Sequence, residues 1–280
     1  MSAEFPEALI LAKQMNEELV GKIVESCHLA DYESMQRLNL INKDISDFKR
    51  LVGGKIDAVV SRGCTILVKL DNKMNLTIEP GQGGALLYHS SEATLPGRAH
   101  LKIDFSDSTY MTVRFRGLGI IKAVTTENLQ RDYLYWRDFS HGISPLDEQK
   151  FTPERFSKLL QERNRILKSI LVGKGAILVG LGNSAFQEIA YKAKVHPKRK
   201  ASSLNNEEQY ALQTAVKEII SNRLQLGGKE GFFDLYGNEG RYKPIMGSSM
   251  MGHPCPECGT MIQRLSVAGG IVYYCPSCQR

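Results

Sequence analysis

Four of the six cysteines form two closely spaced pairs, and these thiols are the strongest chemical signal in the sequence. Cys255 and Cys258 are separated by two residues, sixteen residues follow, and Cys275 and Cys278 repeat the spacing. Thiolates are soft ligands, and two such pairs can present four sulfurs to one tetrahedral zinc ion. The alternative is that each pair is a redox dithiol. The presence of two such pairs with a hairpin between them disfavours this alternative. We therefore predict a structural zinc site with no open position for catalysis.

The residues between the cysteine pairs predict a β-hairpin, with strands at 261–265 and 270–274 around a turn at 267–269. The remaining cysteines, Cys27 and Cys64, are isolated in the sequence. Isolated thiols are typical of small apolar residues in a reducing compartment. The hairpin is therefore expected to close around the metal.

A glycine-flanked turn, Gly180-Leu181-Gly182-Asn183, precedes a predicted helix. The first N–H groups of a helix have no partner inside the helix, and they can bind a phosphate together with the helix dipole. Most turns of this type only cap a helix, so the turn alone is a weak signal. Its position in a basic half of the chain, followed by the cysteine hairpin, makes Asn183 a candidate phosphate-binding residue.

Charge is unevenly distributed along the chain. The whole sequence has a formal net charge of +6, but residues 1–143 contain 17 basic and 18 acidic residues, whereas residues 144–280 contain 19 and 12. The second half is therefore the candidate for binding a polyanion. A solvated basic face is the alternative that charge alone leaves open.

The secondary-structure elements that must position these residues change from strands to helices along the chain. Residues 6–19 have helical periodicity, and the short apolar segments that follow predict strands of a sandwich or barrel. These strands are at 56–60, 65–70, 75–78, 85–89, 100–105 and 111–115. The second half predicts helices, at 152–172, a short one ending at Gly180, 184–194 and 207–226, followed by a loop at 231–254.

No segment reaches the roughly 18 consecutive apolar residues of a membrane span. Glu4 and Glu7 precede the first apolar run, which is the opposite of the basic start of a signal peptide. We expect a soluble protein of the cytoplasm, associated with the nucleoid in a bacterium.

The sequence resembles the formamidopyrimidine-DNA glycosylase and endonuclease VIII family at residues 4–7, 51–63, 178–204, 254–260 and 274–279. The resemblance implies an α+β multidomain fold. It consists of an N-terminal β-sandwich with a leading helix, a C-terminal helix-two-turn-helix domain and a four-cysteine zinc finger built on a β-hairpin. We place the sandwich at 1–130, an interdomain linker at 131–150, the helical domain at 151–230, and the loop with the zinc finger at 231–280.

The resemblance implies a DNA glycosylase with abasic-site lyase activity, in which an N-terminal amine attacks the sugar of a flipped-out nucleotide. An α-amine has a pKa of roughly 7.7–8.0, so part of it is nucleophilic at neutral pH. In this sequence removal of Met1 exposes Ser2, and Glu4 matches the catalytic carboxylate with one extra residue before it. The proline nucleophile of the family is absent.

The resemblance also implies the DNA contacts. Asn183 matches the phosphate-binding turn, and Arg116 matches one of three residues that fill the gap left by the flipped base. Gln82 and Leu118 stand where the family has methionine and phenylalanine. A strand lysine of the family is replaced by Cys64 in this sequence.

In the family, an arginine on the zinc hairpin binds a DNA phosphate. Gly270 stands at that position in this sequence, which removes a further phosphate contact. We therefore expect a lower affinity for DNA. Three hypotheses follow: an enzyme that uses Ser2 and Glu4, a non-catalytic paralogue that binds DNA or RNA, and a protein-binding paralogue.

We expect the partner to be damaged or abasic duplex DNA, bound by a monomer between its two domains. The predicted contacts are the Asn183 turn, Arg116, the zinc hairpin and the basic loop Lys198-Arg199-Lys200. RNA is the alternative partner, because no motif in the sequence recognises or excludes a 2′-hydroxyl.

Overall fold

A computed structural model describes residues 3–280, which divide into two compact units. The first unit contains the described residues up to Ser140 together with Leu226–Arg241. The second contains His141–Gln225 and Tyr242–Arg280. Within residues 3–280, no helix is long and apolar enough to cross a membrane.

Helix α1, Phe5–Leu19, opens the first unit directly after Glu4. The backbone N–H of Glu4 donates to the Glu7 carboxylate (2.9 Å to Oε2), which satisfies a group at the helix start. Pro6 suits the first turn because that position needs no N–H donor. One face of α1 is buried in the core, through Ala8, Leu11, Ala12, Met15 and Leu19. The predicted leading helix is confirmed.

The strands of the first unit form two antiparallel sheets around one apolar core. The strands are β1 Val24–Leu29, β2 Ile56–Arg62, β3 Thr65–Leu70, β4 Met74–Glu79, β5 Ala85–His89, β6 Leu101–Phe105, β7 Tyr110–Arg114 and β8 Ile120–Thr125. The first sheet has the order β1-β6-β7-β5, and the second has β2-β3-β4-β8. Val68 of one sheet and Ile103 and Phe105 of the other belong to the same core cluster. The predicted sandwich is therefore confirmed.

Two strands and two α-helices of this unit are not predicted from the sequence: strands β1 and β8, and helices α2 (Tyr32–Arg37) and α3 (Tyr133–Phe139). Strand β1 is polar, so apolar alternation does not predict it. Its Ser26 hydroxyl donates to Asp104 of β6 (2.6 Å), and its His28 Nε2 contacts the same carboxylate (3.0 Å). Pairing with a distant strand therefore outweighs the weak local strand signal.

The second unit contains four α-helices: α4 (Pro153–Gln161), α5 (Leu167–Leu171), α6 (Asn183–Lys192) and α7 (Asn206–Gln225). The single predicted helix at 152–172 is wrong, because the chain leaves the helical path between α4 and α5. There Ile166 pairs with Lys200, and the Leu167 N–H donates to the Arg199 carbonyl (2.8 Å). Backbone pairing with a distant loop thus replaces the helical hydrogen bonds.

The predicted short helix ending at Gly180 is also wrong. Residues 172–180 form bends and turns, and Leu178 pairs with Ile143 in an isolated parallel bridge. The Ile143 N–H donates to the Ile177 carbonyl (2.8 Å), and the Val179 N–H donates to the Ile143 carbonyl (3.0 Å). The α6 helix begins after this bridge, close to the predicted start at 184.

The cysteine region forms the predicted hairpin, with β9 at Gln263–Val267 and β10 at Gly270–Tyr274. The two turn residues, Ala268 and Gly269, have φ values of 43° and 77°. Positive φ at both positions is the geometry of a tight two-residue hairpin turn.

The segment Leu226–Arg241 packs within the first unit although it follows α7 in sequence. Gln14 of α1 donates to Asp234 (2.9 Å) and accepts from the Leu235 N–H (3.0 Å). The Tyr88 N–H of β5 donates to the Leu235 carbonyl (2.9 Å). The bounds proposed above, 1–130, 131–150, 151–230 and 231–280, stay predictions.

Within the second unit, a buried ion cluster joins α6 to α7. Glu188 and Arg223 form a fully buried ion pair. The second carboxylate oxygen of Glu188 accepts from the Tyr242 hydroxyl (2.7 Å) and from the Ile245 N–H (2.9 Å). The cluster therefore anchors the chain that leads to the zinc hairpin.

We expect Glu188→Ala to lower the free energy of unfolding by about 3–5 kcal/mol, because it leaves the Arg223 charge buried without this partner. The exposed pair Lys192–Glu218 provides the control, and Glu218→Ala should cost less than about 1 kcal/mol. Urea denaturation followed by circular dichroism measures both. Equal effects of the two substitutions on the free energy of unfolding would contradict the stabilising role of the buried Glu188–Arg223 pair.

Candidate nucleic-acid interface and zinc centre

The four predicted ligand thiols converge at the base of the zinc hairpin. Their sulfurs all lie within 4.8 Å of one another, with 3.5 Å between Cys258 and Cys275 and 3.8 Å between Cys255 and Cys278. Zinc–sulfur bonds of about 2.3 Å in a tetrahedron place the sulfurs roughly 3.8 Å apart. Hydrogen bonds from Thr260 lower the pKa of Cys258 to about 6, which favours the thiolate. The donor set and its spacing therefore fit one structural zinc.

Asn183 lies at the start of α6, after Gly180, which has a φ of 79°, and Gly182, which occupies the N-cap. Its side-chain Nδ2 donates to the Ile271 carbonyl of β10 (2.8 Å). Its Oδ1 is buried and has no hydrogen-bond partner within residues 3–280. The phosphate-binding turn predicted from the sequence is therefore held against the zinc hairpin.

Lys168 of α5 is a cation that the sequence analysis missed. It is only 3% exposed, and its Nζ donates to the Val267 carbonyl (2.8 Å) at the hairpin turn. A Cβ on Gly270 would lie 2.7 Å from this Nζ and 3.4 Å from the Asn183 Oδ1. The space beside Gly270, where the resemblance expects an arginine, thus contains the ammonium of Lys168. The sequence signal that could have indicated this buried cation is a lysine among the apolar residues of a short helix.

The basic loop is only partly available for a ligand. Lys198 and Lys200 are exposed. Arg199 is bound inside the unit by a two-point ion pair with Glu208, at 3.0 and 3.1 Å, and donates to the Ser203 carbonyl (2.9 Å). A phosphate contact of Arg199 would therefore compete with these bonds, whereas the two lysines can reach a ligand directly.

The three predicted gap-filling residues lie together in the first unit, on two adjoining loops. The Arg116 N–H donates to the Gln82 carbonyl (3.2 Å), and the loops approach so closely that a Cβ on Gly81 would clash with the Leu118 carbonyl. All three side chains are exposed, and Leu118 is 69% exposed. The resemblance implies these residues one by one, and the structure brings them together on two adjoining loops.

Glu4 is buried in the first unit, and Ser2 lies outside the described residues. The Lys229 ammonium is 3.9 Å from Glu4 Oε1, and the Lys229 N–H donates to Glu7 (3.3 Å to Oε1). Lys229 is not predicted from the sequence as a neighbour of Glu4, because only folding brings the 226–241 segment to α1. The two carboxylates and one ammonium form a buried polar cluster at the start of α1.

A second polar cluster surrounds Cys64. The Arg137 guanidinium binds Asp138 through two nitrogens (2.6 and 2.7 Å) and Glu79 (2.9 Å). Asp138 in turn accepts from the Cys64 N–H (3.0 Å) and the Thr65 hydroxyl (2.7 Å). Burial raises the pKa of the Cys64 thiol well above its usual range, and the negative charges of Glu79, Asp138 and Glu4 raise it further. Cys64 is therefore a neutral thiol where the resemblance expects a lysine.

Comparison with known proteins agrees with this architecture. The formamidopyrimidine-DNA glycosylase N-terminal domain matches residues 2–120, the H2TH domain of the same enzyme matches residues 142–233, and the zinc finger found in FPG and IleRS matches residues 252–280. The formamidopyrimidine-DNA glycosylases of Roseiflexus sp. (strain RS-1) and Desulforamulus reducens are 28% and 29% identical over 281 and 294 residues, each covering 99% of both chains.

Solved structures show the same fold. The Lactococcus lactis Fpg in complex with an abasic-site DNA has a TM-score of 0.82 at 22% identity, covering 99% of this chain and 100% of that one. The MutM (Fpg) protein from Thermus thermophilus has a TM-score of 0.81 at 24% identity, covering 99% and 98%. The fold and the site thus define a protein with a β-sandwich, a helix-two-turn-helix domain and a zinc finger. The chain belongs to the formamidopyrimidine-DNA glycosylase and endonuclease VIII family.

We expect one zinc per chain, bound by Cys255, Cys258, Cys275 and Cys278. Cys258→Ala should lose the metal, because three thiolates do not complete the tetrahedral site. Elemental analysis of protein purified without chelator gives the stoichiometry, and Cys27→Ala, outside the cluster, should retain full zinc. Full zinc content in Cys258→Ala would refute this ligand set.

Proposed function

We propose that this chain is a DNA-repair protein that binds duplex DNA at damaged or abasic positions. The observation that carries the proposal is the surface at the start of α6, where Asn183, the helix N-terminus and the Lys168 ammonium lie beside the zinc hairpin. Helix N-termini and nearby cations together bind phosphate groups. The DNA held by the Lactococcus lactis Fpg structure supports the choice of ligand.

Lys168 places a buried positive charge beside this surface. Burial lowers the pKa of Lys168, and within the described chain no carboxylate pairs with its ammonium. A buried cation without a counter-charge costs free energy, which an approaching anion offsets. A DNA phosphate at the Asn183 turn would supply that negative charge. The cation of α5 would thereby take over the phosphate contact that Gly270 cannot make.

The exposed surface of the first unit supports the same function. A base that leaves the duplex creates a gap in the stack, and inserted side chains stabilise the opened DNA. Arg116, Gln82 and Leu118 present a cation, an amide and an apolar side chain on adjoining loops. Leu118 would fill the gap, since a large apolar side chain held in solvent gains free energy by contact with bases.

We expect Lys168→Met to weaken binding to an abasic-site duplex by about tenfold at low salt, and to reduce the slope of log K against log salt by about one. Asn183→Ala should weaken binding without changing this slope, because it removes no charge. Fluorescence anisotropy across a salt series measures both.

Lys158→Ala, which removes an exposed lysine of α4, is the control for net charge and should leave both quantities nearly unchanged. Zinc content and the melting temperature confirm that each variant is folded. An unchanged affinity and slope in folded Lys168→Met would contradict the proposed contact. Tighter binding of the corresponding RNA duplex would contradict the choice of DNA.

Abasic-site lyase activity is a second candidate function, favoured by the buried Glu4 with the Lys229 ammonium beside it. In this reaction a primary amine attacks the C1′ aldehyde of the abasic sugar, water leaves, and an imine forms. The carboxylate of Glu4 would carry the protons of these steps. We propose the amine of Ser2 as the nucleophile, once Met1 has been removed.

We expect borohydride to trap a covalent adduct between the processed protein and an abasic-site duplex, with the DNA attached to the Ser2 amine. Glu4→Gln should abolish the adduct, since an amide cannot carry protons in this way. Glu17→Gln, at an exposed position of α1, should retain it. Tight binding with no adduct would instead identify a non-catalytic DNA-binding paralogue, and peptide mapping locates the modified amine.

A further inference from the structure

One face of α6 is bonded to the zinc finger along its whole length. Asn183, Gln187 and Tyr191 are spaced by four residues, so their side chains lie above one another on the helix. Asn183 donates to the Ile271 carbonyl (2.8 Å), Gln187 accepts from the Tyr273 N–H (3.3 Å), and the Tyr191 hydroxyl contacts the Cys255 sulfur (3.2 Å). The last contact joins the helix to a zinc ligand.

The Tyr191–Cys255 contact connects residues 64 positions apart, and both are buried, at 4% and 3% exposure. Both belong to one apolar cluster, with Met246, Ile262 and Cys275. A zinc-bound cysteine is a thiolate and has no proton to donate. In the zinc-loaded protein, the proton of this hydrogen bond must therefore come from the tyrosine.

We propose that Tyr191 is a positioning residue of the zinc centre, whose hydroxyl donates a hydrogen bond to the zinc-bound Cys255 thiolate. Four thiolates around one zinc ion leave a net charge of about −2, which hydrogen-bond donors around the sulfurs stabilise. The hydroxyl of Tyr191 provides such a donor from outside the finger. The metal site therefore includes helix α6, whose first residue is Asn183.

A purely structural tyrosine would contribute by packing alone, and phenylalanine would replace it without consequence for the metal. The cluster around Cys255 is apolar, so a phenylalanine fits it. The hydrogen bond, in contrast, changes the electron density on sulfur. Metal affinity and the energy of sulfur-to-metal charge transfer thus distinguish the two roles.

The experiment uses the full chain with Tyr191→Phe. We expect zinc affinity, measured in competition with a chromogenic chelator, to fall by about 10–100-fold, as for other residues that bond to metal ligands. In the cobalt-substituted protein, the thiolate-to-cobalt absorption band should move to longer wavelength, because loss of the hydrogen bond raises the energy of the sulfur electrons.

Tyr274→Phe is the matched control, since the Tyr274 hydroxyl contacts Gln263 (3.4 Å) rather than a sulfur. It should leave the affinity and the band unchanged. Folded Tyr191→Phe with the affinity and band of the unmodified chain overturns the proposal, whatever the DNA affinity. A measurement without substitution tests it as well: in the cadmium-113-loaded protein, the Tyr191 hydroxyl proton should resist exchange and couple to cadmium. A freely exchanging, uncoupled proton would also overturn it.

Discussion

The packing of α6 against the zinc hairpin is the contact on which the second unit depends. One side of the helix bonds to β10 and to Cys255, and Glu188 on the same helix forms the buried cluster with Arg223. Helix α6 is ten residues long, and it connects the cysteine end of the finger to the turn at Asn183. The zinc site has no open position for chemistry, and α6 joins it to the turn at Asn183.

This arrangement also explains how a glycine is tolerated in the hairpin. Gly270 leaves room for the Lys168 ammonium, which donates to the Val267 carbonyl and lies close to Asn183. A side chain at position 270 would have to displace that ammonium. The space between the hairpin and α5 therefore holds one cation, and in this chain that cation is the Lys168 ammonium of the helix.

The first unit is organised around buried polar groups rather than around its apolar core alone. Glu4 and Glu7 at the start of α1 meet Lys229, from a segment that follows α7. The Arg137 cluster holds α3 against the Cys64 backbone. Buried charges are stable only when they are paired, so each cluster requires a particular path of the chain. These paths fix the surroundings of the one candidate catalytic carboxylate that the structure describes.

The sequence by itself determined the zinc ligands, the leading helix, most strands of the sandwich and the helix that follows the glycine turn. These features depend on neighbours within a few positions, through cysteine spacing, apolar periodicity and helix capping. Only the tertiary structure decided that polar β1 is a strand, that 152–172 is interrupted, and that Lys168 lies beside the hairpin turn 99 residues away. The same holds for Lys229, which bonds to Glu7 across 222 residues. Such contacts are absent from any local pattern, because they exist only once the path of the chain has brought distant segments together.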